Sequence, residues 1–191
     1  MRHSSRMRKH IPIQGDCRSI SVVHVGIGSL NPMTSRGTVI EMARGPYMVT
    51  ALNAAQIAAT MNFRHYKPEE LELSRGFVAS GRILGSWYLD VYLQTPRSKE
   101  ILATMNPTTA GEAVPWMNRI DAIALEGSAT HIIEFKLALR PTGIGELVTY
   151  KEQYAEQYKP RGPIFLEYVV RYDRPEHHAA CENAGIRLWI V

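Results

Sequence analysis

Three charged side chains, Asp121, Glu134 and Lys136, stand inside an otherwise apolar stretch, RIDAIALEGSATHIIEFK over 119–136. The stretch reads as two β-strands, over 119–125 and 130–137. Glu126-Gly127-Ser128 joins them, with Gly and Ser supplying the backbone freedom of a hairpin turn. Charges in such a setting are costly unless something pairs with them. Side chains two apart on a strand share a face, so Glu134 and Lys136 point together while Phe135 enters the opposite layer. A neighbouring strand lies about 4.8 Å away, which brings Asp121 beside Glu134. Two hard carboxylates with open space next to them suit Mg²⁺, which is held by one or two carboxylates with water and phosphate completing its shell. Lys136 then neighbours a metal-bound water or a phosphate under attack, the outline of a phosphodiester-hydrolysis site.

The elements that position these residues are read from the flanking chain. Residues 47–61, YMVTALNAAQIAATM, are Ala-rich with apolar residues at helical spacing, which predicts a helix. A second helix starts at Pro68, where Glu69, Glu70 and Glu72 complement the dipole, and fades between Gly76 and Gly85. Residues 87–94, WYLDVYLQ, give the first strand of a sheet, ended by Pro96. Residues 97–114 lack a period and read as a loop with no more than one helical turn, placed to act as a flap over a site. After the hairpin, Arg140-Pro141-Thr142-Gly143 interrupts the chain and a helix follows over 144–158. Its Tyr150, Tyr154 and Tyr158 recur on one face and are expected to pack rather than stack on bases. Residues 160–163 stop that helix; a buried-type strand over 164–170, a short helix from Pro175 towards Gly185 and a last strand over 186–191 complete the chain. From Trp87 onward the order is β, β, β, α, β, α, β, a mixed α/β sheet with helices on it and no internal repeat.

The 191 residues are 45% hydrophobic and 21% charged, enough for one globular domain with an extension. A net charge of +4 leans mildly towards anionic partners, and Arg2, Arg6, Arg8 and Lys9 concentrate it in the first ten residues. Residues 1–45 are read as an irregular arm, disordered or bound to a partner; Gly26-Ile27-Gly28 lacks the third glycine and helix of a dinucleotide fingerprint. Cys17 and Cys181 are too few for a disulfide scaffold or a four-thiolate zinc site, which fits a reduced, cytoplasmic setting. No run reaches the roughly 20 apolar residues of a membrane span, and the basic start lacks the apolar segment of a secretory leader. His177-His178 cannot share a helix face and His131 lies opposite Glu134 on its strand, so none of the three is expected to ligate a metal. Arg171, Arg174 and Arg187 read as surface cover rather than phosphate contacts.

Asp121, then Glu134-Phe135-Lys136 thirteen residues on, with a helix after the second strand, resembles the PD-(D/E)xK nuclease superfamily. The helix adds Glu146-Leu-Val-Thr-Tyr150, similar to the Gln-x-x-x-Tyr of the subgroup related to the RecB nuclease, with Glu in place of Gln. Ile120 stands where the family's namesake proline lies. The resemblance covers about residues 68–191 and implies a restriction-endonuclease-like fold: a mixed central sheet flanked by helices, within a nuclease-like domain over 46–191. It implies Asp121 and Glu134 as metal ligands for Mg²⁺, with Mn²⁺ as a substitute. Lys136 would orient the water or stabilise the charged transition state, and Tyr150 would support the site beside Glu146. The family often adds an acid from its first helix. Glu69, Glu70 and Glu72 are the candidates, and Glu72 is favoured because it lies furthest inside the helix and follows an apolar residue.

The expected function is therefore metal-dependent hydrolysis of DNA phosphodiester bonds, with DNA as partner and no membrane association. Two alternatives belong to other classes. One is a nuclease-fold structural or assembly protein of a phage or prophage particle, similar to head-completion proteins, with the arm as a docking segment. The other is a DNA-binding module without chemistry, whose affinity would fall with salt. Strandedness, sequence preference, endo or exo action and oligomeric state are left open by the residues.

Overall fold

In the computed structural model, residues 47–61, 66–104 and 113–191 are described. The arm over 1–45 and residues 105–112 of the flap region lie outside them. The described chain runs β1 (Tyr47–Val49), α1 (Ala54–Thr60), α2 (Pro68–Ala79), β2 (Gly85–Leu93), α3 (Pro96–Thr104), β3 (Asn118–Glu126), β4 (Ala129–Ala138), α4 (Pro141–Tyr158), β5 (Ile164–Tyr172), α5 (His178–Asn183) and β6 (Ile186–Ile190). The strands form one six-stranded sheet in the order β1-β2-β3-β4-β5-β6. The first four pair antiparallel and β4-β5-β6 pair parallel. The fold is thus α/β, a mixed sheet flanked by helices. Among the described residues no helix is long and apolar enough to cross a membrane.

Strand alternation sends side chains to two cores. On one face, Trp87, Leu89, Ile133, Phe135 and Val169 pack under α1 and α2, which contribute Ala54, Ala58, Leu73 and Phe77. Phe77 meets Trp87, Phe135 and Trp189 edge-on at centroid distances of 6.5, 6.0 and 5.6 Å, contacts worth about 0.5–1.5 kcal/mol each beyond their burial. On the other face, Ile123, Ile132, Leu166, Tyr168 and Val170 pack under α4 and α5 with Leu147, Tyr150, Tyr154 and Cys181. The tyrosines of α4 are packing residues as expected: Tyr150 and Tyr154 are buried, and the Tyr154 and Tyr158 rings lie 4.7 Å apart.

Three expectations are corrected. The helix predicted over 47–61 is α1 alone, because Tyr47, Met48 and Val49 pair with Trp87, Ser86 and Gly85 as a strand. β2 is therefore the second strand of the sheet. The loop predicted over 97–114 begins with α3 instead. Pro96, read as a strand stop, is also the first helical residue. Thr95 Oγ1 accepts from the Ser98 N–H at 3.1 Å while Ser98 Oγ accepts from the Thr95 N–H at 2.8 Å, a reciprocal cap. In the same way Pro141 starts α4 three residues earlier than expected, rather than breaking the chain.

A buried charge network ties β4, β5 and β6 together. Glu167, 0% exposed, receives His131 Nδ1 at 2.8 Å, Arg187 Nη1 at 3.2 Å and the Trp189 indole N–H at 2.7 Å. This explains why His131 and Arg187 are where they are, and neither reaches the Glu134 face. Of the other flagged residues, His178 meets Asp173 at 2.7 Å. Glu167→Ala is expected to cost about 1–3 kcal/mol in urea unfolding, since it leaves the buried His131 Nδ1 and the Trp189 indole N–H without their acceptor, while the half-exposed Arg187 can turn to water. A loss below about 1 kcal/mol would show the network to be dispensable.

Candidate active site

The β3–β4 hairpin closes through Gly127 and Ser128, with Glu126 opposite Ala129 and Gly127 at φ 61°, a left-handed angle that suits glycine. The ladder runs from there to Ala122↔Ile133 and then ends. Beyond it β3 stays on β2, down to Leu93↔Asn118, while β4 stays on β5, up to Ala138↔Tyr172. The sheet therefore opens as a fork between its two central strands. A fork releases backbone groups that must find other partners. Asp121 supplies one, accepting the Phe135 N–H on Oδ2 at 3.0 Å.

Continuing the register by one residue sets Asp121 opposite Glu134. Both point into a cleft of about 490 Å³. β3 contributes Asn118, Arg119 and Asp121, β4 contributes Glu134 and Lys136, and α4 contributes Glu146 and Tyr150. Residues four apart share a helix face, which is how one helix delivers both Glu146 and Tyr150. Tyr92, Val114 and Met117 form the remaining wall. Five of the six sequence-predicted site residues thus meet in one place.

The electrostatics are those of crowded, dry carboxylates. Lys136 Nζ is hydrogen-bonded to Glu134 Oε1 and lies 3.7 Å from Glu146 Oε2. The buried Tyr66 hydroxyl lies near Asp121, and burial, then the Asp121 charge, raises it above its ordinary value. Burial raises the Asp121 carboxyl above its ordinary range, against the pull of Lys136. Burial, then the neighbouring Asp121 charge, pushes Glu134 up to about 9. Burial pulls Lys136 down, but Glu134 and Asp121 outweigh it and hold the ammonium above its ordinary value. Burial also raises Tyr150, with Glu134 and Glu146 adding to it. Glu134, 1% exposed, leaves its Oε2 without a hydrogen-bond partner, and Glu146 Oε2 is likewise without one. Buried acceptors of this kind fit a cation. No group of three or more His, Cys, Asp or Glu with metal-holding geometry occurs among the described residues. A divalent ion here would rest on Asp121 and Glu134, completed by water and phosphate.

Glu72 is not in the cleft. It is 73% exposed on its side chain, pairs with Arg171 at 3.3 Å and borders a separate groove between α1 and α2. The buried stripe of α2 is Leu73, Ser74, Phe77 and Val78, which leaves Glu72 on the flank although it follows Leu71. Glu69 is exposed, and Glu70 accepts the Lys67 N–H at 3.4 Å as a helix cap. The third acid near the fork is instead Asp90 of β2. The neighbouring pairs Leu89↔Ala122 and Val91↔Ile120 put it opposite Asp121, so Asp90, Asp121 and Glu134 form one cross-strand row. Asp90 has φ 51°, a left-handed angle costing a non-glycine residue about 1–3 kcal/mol. There the alternation flips: Leu89 joins the α1/α2 core and Val91 the α4/α5 core. Its carboxylate lies 3.6 Å from Arg119 Nε. Asp90 in WYLDVYL is, like Asp121, an acid inside an apolar strand, which is the sequence signal that marks it. Arg119 and Asn118 carry no such signal, because they sit at a strand start where polar residues are ordinary.

Gly143 sets the height of α4 over the site. A Cβ there would lie 2.2 Å from the hydroxyl oxygen of Tyr168, the β5 residue paired with Glu134. Alanine is ordinarily worth about 1 kcal/mol over glycine in a helix, but overpacking costs about 1–3 kcal/mol and wins here. Gly143→Ala is expected to lower stability, whereas Gly145→Ala, with nothing within 4 Å of its Cβ, should raise it; paired urea titrations decide between them. No family model, no curated protein and no solved structure matches the chain.

Proposed function

We propose that this chain is a divalent-metal-dependent deoxyribonuclease of the PD-(D/E)xK type, with a restriction-endonuclease-like core running from α2 to β5. The observation that carries the reading is the fork. Asp121 from β3 and Glu134 and Lys136 from β4 meet in one cleft, under Glu146 and Tyr150 of α4. Asp121 and Glu134 would hold Mg²⁺ or Mn²⁺. Such an ion, when bound, supplies a polarised phosphate and a water of lowered pKa. Lys136 keeps its proton and sits at the mouth of the carboxylate pair, where it stabilises charge building on the phosphate oxygens. Glu146 and Glu134 hold that ammonium from two sides, which fixes its position before substrate arrives. Tyr150 closes the cleft from the helix.

The test uses the full chain with supercoiled plasmid and with single-stranded DNA, in Mg²⁺ or Mn²⁺. Cleavage is expected that EDTA stops and that Asp121→Ala abolishes. Cleavage persisting in Asp121→Ala overturns the assignment. Salt-sensitive DNA binding with no cleavage in either metal would leave the non-catalytic module instead.

A further inference from the structure

The cleft has two unlike walls. One carries Asp121, Glu134 and Lys136, the charged groups that suit a phosphate and its ion. The other is formed by Tyr92, Val114 and Met117. The face of a tyrosine ring, a valine and a methionine offer apolar contact rather than charge. In a nucleic acid the matching surface is the face of a base, on which aromatic side chains stack without regard to sequence. Trp116 is not itself in the cleft lining but adjoins Val114 and Met117 in the chain; it is 53% exposed, with the Arg97 guanidinium 5.7 Å from its ring centroid. Its backbone is fixed, because Thr95 Oγ1 donates to the Trp116 carbonyl at 2.6 Å and so ties the segment to the cap of α3. The ring is thus held at the surface beside a cationic side chain, the combination of aromatic platform and positive charge that single-strand binders use.

Base faces are covered in a duplex. A cleft of about 490 Å³ has room for one small ligand and lies at the lower end of ordinary ligand sites. We infer that the cleft takes one unstacked nucleotide, its phosphate at Asp121, Glu134 and Lys136 and its base against Tyr92 and Trp116, so that the substrate is single-stranded or frayed DNA. This rests on the nuclease reading for the phosphate end, but the base wall makes a prediction about binding alone.

The measurement is fluorescence anisotropy of a labelled 12-nucleotide oligodeoxynucleotide and of the same sequence as a blunt duplex, in EDTA and ~0.15 M salt. The full chain carries Asp121→Asn, which keeps an oxygen for the Phe135 N–H and removes a charge that would repel phosphate. The single strand should bind at least about 10-fold tighter than the duplex. Tyr92→Ala and Trp116→Ala should each weaken single-strand binding by roughly 5- to 10-fold, and Tyr92→Phe and Trp116→Phe should restore it to within about twofold. Equal or tighter duplex binding, or single-strand affinity untouched by both alanine variants, overturns the inference. The two readings fail separately. A chain that cleaves duplex DNA with no dependence on Tyr92 or Trp116 keeps the nuclease and loses the base wall. A chain that never cleaves but binds single strands through those rings keeps the wall and loses the chemistry.

Discussion

Lys136→Ala is expected to lower metal-dependent cleavage by about 10²–10³-fold, the usual cost of removing one preorganised group aimed at developing charge. The ammonium sits where no neighbouring side chain can replace it. It is hydrogen-bonded to Glu134 and lies 3.7 Å from Glu146 Oε2, while Arg119, the other cation lining the cleft, is drawn towards Asp90 at 3.6 Å. Lys136→Arg should rescue little, because a planar fork does not fit the place of a point charge between two carboxylates. The loss should fall mainly on the single-turnover rate with KM changed little, since the charge that Lys136 meets develops in the transition state. The side chain is about one third exposed, so the fold should survive its truncation. A variant that keeps its circular dichroism and cleaves at the normal rate would remove Lys136 from the mechanism.

Glu134→Gln is expected to abolish cleavage and yet to stabilise the metal-free protein above neutral pH. The folded chain holds a proton on Glu134 up to about 9, against an ordinary value of 4.5, because burial and then Asp121 disfavour its charge. Between those two values the folded state binds more protons than the unfolded one. The stability linked to this group is therefore fully present below about 4.5 and is lost as pH rises towards 9. Glutamine has no proton to lose, so the variant's melting temperature should decline less steeply across pH 5–9. At pH 8 in EDTA it should exceed that of the unsubstituted chain by a few degrees, about what 1 kcal/mol gives in a domain of this size. Mg²⁺ or Mn²⁺ should reverse the ranking. An ion held by Asp121 and Glu134 would displace the proton on Glu134, so its stabilising effect should grow with pH in the unsubstituted chain and be small in Glu134→Gln. Parallel pH slopes for the two proteins, with and without metal, would show that Glu134 is ionised throughout and unconnected to any ion.

These expectations depend on features of two kinds. The sequence by itself determined the β3–β4 hairpin, the shared face of Glu134 and Lys136, the α4 face bearing Glu146 and Tyr150, and the order of strands and helices from that hairpin to β6. Each is written in local terms: a period of two or of about four, a Gly-Ser turn, a Pro at a helix start. Even there, Pro96 both follows the end of a strand and starts a helix, and Pro141 starts α4 rather than breaking the chain, because the same ring that ends a strand is preorganised for a first helical turn. Only the tertiary structure decided where the sheet forks, which acid other than Asp121 and Glu134 lies at the fork, and what faces them. Tyr47–Val49 becomes a strand because β2 offers it an edge. Glu72 is excluded because Leu73 and Phe77 fix the rotation of α2, and Asp90 is included because β2 and β3 align it opposite Asp121. None of these is a property of neighbouring residues; each is settled by strand register and by which face of a helix the core takes up. The three charges of the hairpin were legible from the chain, but their meeting in a buried fork beside an aromatic wall belongs to the fold.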